Sequence, residues 1–509
     1  MESFRQQYRE TFLSVGGDIP GRLASQSSLN NSTAIYHDQV ITMGFLPQIF
    51  SATELSYFNE IADTTYTILE AITQRYCTDA DYRKLFAFSP LLEYLILLPT
   101  GYESTIPITR IDIFIDLESK AFKFCEFNTD GSSAMNEDRE VCNAIALSET
   151  FVQMSEQVAL RPQELFDPWV EAFCSIYEQS THATARTAHE DKTVAIVDYA
   201  DKTTIFELRE FRKRFERAGL RCLICDVHDL IYRDGILYGT DMDADLDNSF
   251  SADKVPVRLD AIYRRAVTSD IIEDLTHEAS QNQKSIITPE ELATIQDTQG
   301  TTALLAATRD CAVCLIGGFK TQVAHSKTIF TMLHHPETLS FMDEEQRLFI
   351  QEHVPYTVRL SSESIHTLEV AGNKDRWIIK PIDGYASQGV HAGKSYSTSD
   401  WEKLLSECSA KGYVLQEYCE QYSMPNTLPV PFDDQGKPLF NSLETASHCI
   451  HEGSFDPLDL EPYNLLTGLF VYDGVFQGVY MRAGTDSLIV GFRGGITLGT
   501  FIADDMTEF

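Results

Sequence analysis

The segment FKFCEFNTDGSS (Phe122–Ser133) begins as a β-strand, ends in polar residues and decides the prediction of the fold. Apolar residues dominate its first half, whereas Glu126, Asn128 and Asp130 occupy alternate positions just before Gly131 and two serines. The preceding segment ITRIDIFIDLESKA alternates in the same way and then breaks at a polar stretch, which indicates a β-hairpin. An arginine, carboxylates and an amide are therefore expected at one end of a hairpin.

One face of this hairpin gathers the groups that magnesium prefers. Residues two apart on a strand face the same side, so Arg110 lies beside Asp112, and Glu126 beside Asn128. Mg²⁺ takes hard oxygen ligands, usually one or two carboxylates together with water and phosphate. The candidate metal ligands are Asp112, Glu126 and Asn128, and Arg110 supplies positive charge for an anion that shares the metal. A solvated sheet face closed by an Asx-type turn is the structural alternative.

A second group of residues suits a nucleotide. The segment IIKPIDGYASQGV predicts a strand that ends in Lys380 and continues into a loop containing Gly384 and Gly389. Such a loop lets backbone N–H groups approach phosphate oxygens while the lysine acts as a point charge. It lacks the Walker pattern, and a surface turn is the alternative. Further along, VLQEYCE predicts a strand whose end can hydrogen-bond an adenine edge through the backbone of Gln416, Glu417 and Tyr418.

In this order the residues resemble the ATP-grasp superfamily, in which two small α+β subdomains hold a nucleotide between them. Lys327 in HSKTIF matches the earlier lysine of that superfamily. In most ATP-grasp chains the metal ligands follow the hinge strand, whereas here they precede the lysine loop, which implies a circular permutation. The branch with this order resembles glutathionylspermidine synthetase, on the motifs RID (110–112), EFNTD (126–130), SKTIFTML (326–333), KPIDG (380–384), LQEY (415–418) and GVYMR (478–482).

The resemblance implies an ADP-forming carboxylate-amine ligase that uses ATP and Mg²⁺. Arg110 and Arg482 would face the oxyanions of an acyl phosphate and of the tetrahedral intermediate. Weaker candidates for contacts to the acyl substrate are Asp130, Ser132 and Ser133. Where the family usually carries an arginine that helps to hold glutathione, this chain has Tyr385, which argues against glutathione as the acid. An ATP-grasp kinase and a nucleotide-binding protein without turnover are the rival functions.

The predicted fold class is α+β, a circularly permuted ATP-grasp with a Rossmann-like α/β pre-ATP-grasp domain and a helical N-terminal region. We expect a helical region over residues 1–100 and a permuted ATP-grasp segment with the metal-binding hairpin over 101–190. The pre-ATP-grasp domain follows over 191–320, where TVAIVDYAD and RCLICDV predict parallel strands around an amphipathic helix. The nucleotide-binding domain takes 321–509.

Charge and cysteine usage narrow the classes of partner. The chain has 40 Lys and Arg against 76 Asp and Glu, a net charge of −36, which disfavours nucleic acid and anionic membranes. The expected partners are a small carboxylate and an amine, the latter favoured by the negative field. No leader or membrane span is predicted, and eleven scattered cysteines suit a reducing, cytoplasmic setting. Two CxxC pairs, Cys222 with Cys225 and Cys311 with Cys314, are expected to be buried strand cysteines.

Overall fold

The computed structural model describes residues 3–36, 38–184, 192–243, 255–281, 288–384, 388–433, 435–489 and 494–504. The first hundred residues are mainly helical, as their apolar spacing predicts. The longest helix follows Ser51, whose hydroxyl accepts from the Glu54 backbone N–H while the Glu54 carboxylate accepts from the Ser51 N–H. The elements are α1 (Phe4–Ser14), α2 (Ile19–Asn30), β1 (Ile35–Tyr36), β2 (Gln39–Val40), β3 (Gln48–Phe50), α3 (Ala52–Thr78), α4 (Ala80–Phe86) and α5 (Pro90–Ile96).

The predicted hairpin is present, and one strand carries a β-bulge. Residue pairing runs in register from Arg110 opposite Asn128 to Asp112 opposite Glu126, and then skips Cys125. The extra residue changes the phase of the strand, so that Phe124 and Phe127 both enter the hydrophobic core although they are three residues apart. The segment comprises β4 (Ile108–Ile115), β5 (Phe122–Asn128), α6 (Met135–Ile145), α7 (Glu149–Ser155), β6 (Ala159–Pro162), α8 (Asp167–Glu178) and α9 (Thr181–Thr184).

The middle of the chain forms a parallel α/β sheet. Its elements are β7 (Thr193–Asp198), α10 (Ile205–Arg217), β8 (Arg221–Asp226), β9 (Ile231–Arg233), β10 (Ile236–Gly239), β11 (Val257–Arg258), β12 (Ala261–Arg264), α11 (Thr268–Gln281), α12 (Pro289–Leu292), β13 (Thr298–Gln299), α13 (Thr301–Arg309) and β14 (Cys314–Ile316). The order β14-β12-β7-β8 is parallel throughout, and β11-β10-β9-β13 forms a second, antiparallel sheet. Cys222, Cys225 and Cys314 are buried as predicted, whereas the prediction for Cys311 was wrong: it lies exposed in a turn with φ of 52°.

The last part of the chain supplies a small antiparallel sheet and returns to the hairpin. Its helices are α14 (Gln322–His325), α15 (Thr328–Leu333), α16 (Pro336–Ser340), α17 (Glu344–His353), α18 (Ser362–Thr367), α19 (Thr398–Cys408) and α20 (Leu443–Glu452). Its strands are β15 (Thr357–Arg359), β16 (Trp377–Pro381), β17 (His391–Ala392), β18 (Tyr413–Glu417), β19 (Ser423–Asn426), β20 (Glu461–Tyr472), β21 (Val475–Gly484), β22 (Ile496–Leu498) and β23 (Thr500–Asp504). The small sheet has the order β15-β18-β16-β17.

Strands from distant parts of the sequence share one sheet. The order β22-β21-β20-β4-β5 joins the hairpin to the C-terminal strands, and β23 lies between β3 and β6 in a separate sheet. The rings of Phe127 and Phe330 stack with centroids 5.0 Å apart, which holds α15 against the hairpin. These contacts bring the beginning of α15 to the polar end of β5. Of the helices that the structure describes, none combines the length and apolarity needed to cross a bilayer.

Candidate active site

An open cleft lies between the hairpin, the small antiparallel sheet and the middle unit. It brings together most residues singled out from the sequence. Those that line it are Arg110, Glu126, Asn128, Asp130, Ser132, Ser133, Lys327, Lys380, Gly384, Gln416, Glu417, Tyr418 and Arg482. Asp112 lies directly behind this surface, in contact with Arg110 and Asn128. The candidate metal-binding residues of the hairpin and the candidate nucleotide-binding residues therefore face one cavity.

Arg110 and Asp112 form a buried ion pair at the base of the cleft. The Arg110 Nε and Nη2 atoms donate to the two Asp112 carboxylate oxygens at 2.7 and 2.9 Å. Their side chains are only 7% and 1% exposed. Burial raises the pKa of Asp112, and the Arg110 guanidinium opposes that shift. Gly468 on β20 leaves room for the pair, because a Cβ there would lie 2.7 Å from Arg110 Cδ and 2.9 Å from Asp112 Oδ1.

Two lysines reach the same hairpin from different elements. The Lys327 ammonium lies 3.2 Å from Glu126 Oε2, and the Lys380 ammonium donates to the carbonyl of the bulged Cys125 at 3.1 Å. Both lysines are buried. Burial of Glu126 disfavours its ionised form, but the two ammonium groups outweigh this effect and lower its pKa well below the ordinary carboxyl range. Lys327 is therefore a buried residue of the cleft wall rather than a solvated helix lysine.

The hairpin oxygens meet the requirements of a magnesium site in part. Glu126 is 30% exposed at its side chain and lines the cleft, so its carboxylate is accessible. Asn128 donates its Nδ2 hydrogens to Asp112 at 3.0 Å, which leaves its amide oxygen as an acceptor. Both oxygens of Asp112 are engaged by Arg110. Among the described residues no cluster of three or more His, Cys, Asp or Glu side chains is placed to hold a metal. One carboxylate and one amide oxygen, completed by water and phosphate, still fit Mg²⁺.

Arg482 is held by an aromatic residue that the sequence analysis did not single out. Its Nε donates to the Tyr480 hydroxyl at 3.0 Å, and that hydroxyl donates to Glu137 Oε2 at 2.6 Å. The guanidinium groups of Arg482 and Arg110 lie 5.3 and 5.4 Å from the centre of the Tyr480 ring. Tyr480 could have been found, since it lies two residues before Arg482 on a strand. In the described part of the chain, no ion pair joins Arg482 to Asp473 or Asp486, the acidic residues nearest to it in the sequence.

The segment predicted to meet adenine lines the cleft, but its backbone is partly engaged. Gln416 pairs with Ile378 and Thr357 on the neighbouring strands, and its side-chain Nε2 donates to Thr357 Oγ1 at 2.9 Å. The N–H groups of Glu417 and Tyr418 donate to the carbonyls of Tyr356 and Arg376. An adenine ring placed here would therefore need the carbonyls, the side chains or the residues that follow.

The turn after β5 attaches the hairpin to the middle unit. Asp130 pairs with Arg264 at 2.6 Å and accepts from the Thr268 N–H at 2.8 Å. The carbonyl of Ser132 accepts from Arg265, and that of Ser133 accepts from Arg110 at 3.0 Å. These three residues line the cleft, while their described contacts hold the turn in place. The glycine loop is described at Gly384 and at Gly389, which adopts φ of 71°, whereas Tyr385 lies outside the described residues.

His325 lines the cleft and was missed from sequence. Burial and the neighbouring Lys327 ammonium lower the pKa of His325 to about 4, so the imidazole is neutral. The Phe127 carbonyl accepts a hydrogen bond from the ring. A single histidine at the end of a short helix carries no sequence signal that distinguishes it from an ordinary core residue.

No protein-family model and no curated protein matches this chain. Among solved structures it is similar to a glutathione synthetase-like effector from Globodera pallida, with a TM-score of 0.54 and 10% identity over 95% of this chain and 96% of that one. A putative gamma-glutamylcysteine synthetase from Methylobacillus flagellatus aligns with a TM-score of 0.36 and 11% identity over 89% of each chain. D-cycloserine synthetase aligns with a TM-score of 0.25 and 14% identity over 60% of this chain and 90% of that one. The first likeness shows a common mixed α/β fold.

Proposed function

We propose that this protein is an ATP-dependent, ADP-forming ligase of the ATP-grasp type that joins a carboxylate to an amine. The supporting observation is that Glu126, Lys327 and Lys380, which come from a hairpin, a helix start and a separate sheet, face one cleft. The Lys327 ammonium lies 3.2 Å from a Glu126 carboxylate oxygen, so a candidate phosphate-binding lysine directly contacts a candidate metal ligand. A carboxylate does not react with an amine at neutral pH, so ATP first converts it to an acyl phosphate.

Positioning and charge neutralisation are the main contributions of a protein to phosphoryl transfer. Lys327 and Lys380 would neutralise the phosphates of ATP. Glu126 and Asn128 would hold Mg²⁺ through their side-chain oxygens. Asp112 would position Asn128 and Arg110 by accepting hydrogen bonds from both. When a magnesium ion is held there, its charge would offset that of the phosphates.

The two arginines are proposed to act at the acyl centre. The guanidinium groups of Arg110 and Arg482 both lie close to the Tyr480 ring, and each is held by hydrogen bonds within the protein. Fixed donors of this kind stabilise an oxyanion without reorganisation, and loss of one typically costs ~10²–10³ in rate. We therefore place the oxygens of the acyl phosphate and of the tetrahedral intermediate between these two guanidinium groups.

The finer assignment is a reaction like that of glutathionylspermidine synthetase on a permuted ATP-grasp fold with a pre-ATP-grasp domain. The shared motifs support it, and the fold likeness to a glutathione synthetase-like protein supports a peptide-type acid. The negative charge of −36 is compatible with a cationic amine such as a polyamine.

The test is an ADP-release screen with Mg²⁺ and ATP against pairs of peptide acids and amines, including glutathione with spermidine. Hydroxylamine is added in parallel to trap the acyl phosphate as a hydroxamate. A ligase gives ADP and a hydroxamate that both depend on the acid. A kinase gives ADP without hydroxamate, and that outcome would refute the ligase.

Variants separate turnover from simple nucleotide binding. Glu126→Ala and Asn128→Ala are expected to abolish the magnesium dependence of ATP binding as well as ADP release. Glu402→Ala, on the exposed face of α19, is the matched control and is expected to leave both unchanged. Magnesium-dependent binding that survives both hairpin substitutions would favour a protein that binds nucleotide without turnover.

A further inference from the structure

Glu137 is a carboxylate of the cleft wall to which the proposed reaction gives no role. It lies in the first turn of α6, is partly exposed and lines the cleft. Its Oε2 atom accepts a hydrogen bond from the Tyr480 hydroxyl at 2.6 Å. In the described part of the chain no hydrogen bond or ion pair engages its other oxygen, Oε1. An ionised carboxylate only accepts hydrogen bonds, so Oε1 can receive an N–H or O–H group from a molecule in the cleft.

Arg482 has donors that the described part of the protein leaves for a ligand. Arg110 directs Nε and Nη2 to Asp112 and Nη1 to the Ser133 carbonyl. Arg482 is partly exposed in the cleft and directs Nε to the Tyr480 hydroxyl, and neither of its Nη groups donates to another described residue. The planar guanidinium group matches the geometry of a carboxylate. Of the two arginines, Arg482 is therefore the better placed to bind the carboxylate of the acid.

Glu137 and Arg482 place opposite charges on one hydroxyl group. The Tyr480 hydroxyl accepts from Arg482 at 3.0 Å and donates to Glu137 at 2.6 Å, so the two charged groups are two hydrogen bonds apart. The ion pairs within the described ranges do not join these two residues directly. A cation and an anion that are close together but not paired are complementary to a zwitterion, whose carboxylate and ammonium groups are separated by a short chain.

The charge of Glu137 decides which ammonium group it can serve. The amine that attacks the acyl phosphate has to be neutral at its reacting nitrogen. Contact with a carboxylate favours the charged form of an amine and would oppose the attack. Phosphate oxygens carry the same sign of charge as Glu137 and are repelled by it. An ammonium group on the acid takes no part in the reaction and remains charged throughout, so this contact is compatible with catalysis.

We propose that Glu137 binds an ammonium group of the acid while Arg482 binds its reacting carboxylate, so that the acid is an amino acid or a short peptide with an unmodified amino group. The inference rests on the proposed function and narrows the class of its acid. Glu137 determines specificity here, and no bond forms or breaks at its carboxylate.

A kinetic test measures hydroxamate formation with hydroxylamine, which is uncharged at neutral pH, as the amine. The acids are glycine, β-alanine and glycylglycine, each compared with its N-acetyl derivative. The protein is expected to prefer the amino form of at least one pair by about 10- to 100-fold in kcat/KM, the value of a hydrogen bond to a charged group. Glu137→Gln keeps an acceptor for Tyr480 and is expected to lose this preference, because kcat/KM falls for the amino form alone.

The control is Glu140→Gln, on the same helix but outside the cleft, which is expected to keep the preference. Three results would overturn the proposal. One is a protein that uses the acetylated acids as well as the amino forms. Another is an equal loss for both forms in Glu137→Gln, which would mean that Glu137 acts only by holding Tyr480. The third is a loss that appears only when spermidine replaces hydroxylamine, which would place the amine at Glu137 instead.

A binding measurement separates this inference from the function on which it rests. Saturation-transfer NMR is recorded for the same acids with protein that holds Mg²⁺ and a non-hydrolysable ATP analogue, so no turnover is needed. An absence of hydroxamate and ADP with every acid would refute the ligase, whereas transfer to an amino form that is lost in Glu137→Gln would still support the ammonium site. Turnover and binding that are both indifferent to Glu137→Gln would refute the ammonium site alone.

Discussion

Replacement of Asp112 with Asn is expected to destabilise this protein severely, because it leaves a buried guanidinium without a counter-charge. Arg110 donates to both Asp112 oxygens, at 2.7 and 2.9 Å, and the two side chains are 7% and 1% exposed. Asn keeps the shape of the side chain and one acceptor but removes the charge. Breaking a buried pair by removing one partner typically costs about 3–5 kcal/mol. The expected loss in the free energy of unfolding is of that size.

The measurement is the urea midpoint and slope of each variant, with an exposed ion pair as the control. Lys84 lies 2.8 Å from Asp81, but these side chains are 74% and 91% exposed. Asp81→Asn is therefore expected to change the urea midpoint far less than Asp112→Asn does. The double variant Arg110→Met with Asp112→Asn removes both charges, and its loss of stability is expected to be well below the sum of the two single losses.

Two results would refute this reasoning about burial. One is an Asp112→Asn variant that is destabilised no more than Asp81→Asn. The other is strict additivity in the double variant, which would mean that the two side chains do not interact. In the proposed function the same substitution also releases Arg110, so ADP release is expected to fall by ~10²–10³.

Three further perturbations have defined outcomes. Gly468→Ala places a Cβ 2.7 Å from Arg110 Cδ, so the variant is expected to lose ~1–3 kcal/mol of stability in thermal unfolding and to lose ADP release. Gly372→Ala is the control and is expected to be neutral, because its Cβ would meet only the Glu369 carbonyl oxygen at 3.6 Å. Burial raises the pKa of Asp138 to about 8, so its folded form holds a proton that the unfolded chain has lost. The contribution of Asp138 to the free energy of unfolding is complete below about pH 4 and falls by up to about 1.4 kcal/mol per pH unit as the pH rises towards 8. Asp138→Asn is expected to remove this pH dependence of stability in urea titrations at several pH values. An unchanged pH dependence would contradict the assignment. Lys327→Met is expected to weaken ATP binding by calorimetry and to let the pKa of Glu126 rise, and unchanged ATP affinity would place the phosphates elsewhere.

Local patterns in the sequence were sufficient for the elements that carry the site. Alternation of apolar residues predicted the β4-β5 hairpin, and the period-two rule placed Glu126 beside Asn128 on the face that lines the cleft. The bulge at Cys125 could not be predicted from alternation. It explains why Phe124 can enter the same core as Phe127 while Glu126 stays in the cleft, and it leaves the Cys125 carbonyl for Lys380 to contact.

Contacts between residues far apart in sequence limited what could be predicted. Nothing near Gly468 in the sequence indicates that it lies against Arg110, since the pairing of β20 with β4 brings them together. The same holds for His325, whose neutral state results from burial beside Lys327. The permutation and the four-part division of the chain remain predictions, although β4, β20 and β21 occupy one sheet.

The turn after β5 has a structural role that changes how its residues are interpreted. Asp130 was a candidate for substrate contact, yet its carboxylate is shared between Arg264 and the Thr268 backbone, and both charged side chains are almost fully buried. So buried an ion pair adds little net stability, because the desolvation of the two charges offsets much of their attraction. Its main effect is to hold the turn after β5 in one position. The middle unit therefore determines where the hairpin ends, and through the hairpin it determines where Glu126 meets Lys327. Changes in the parallel sheet can reach the cleft by this route without a contact to any substrate.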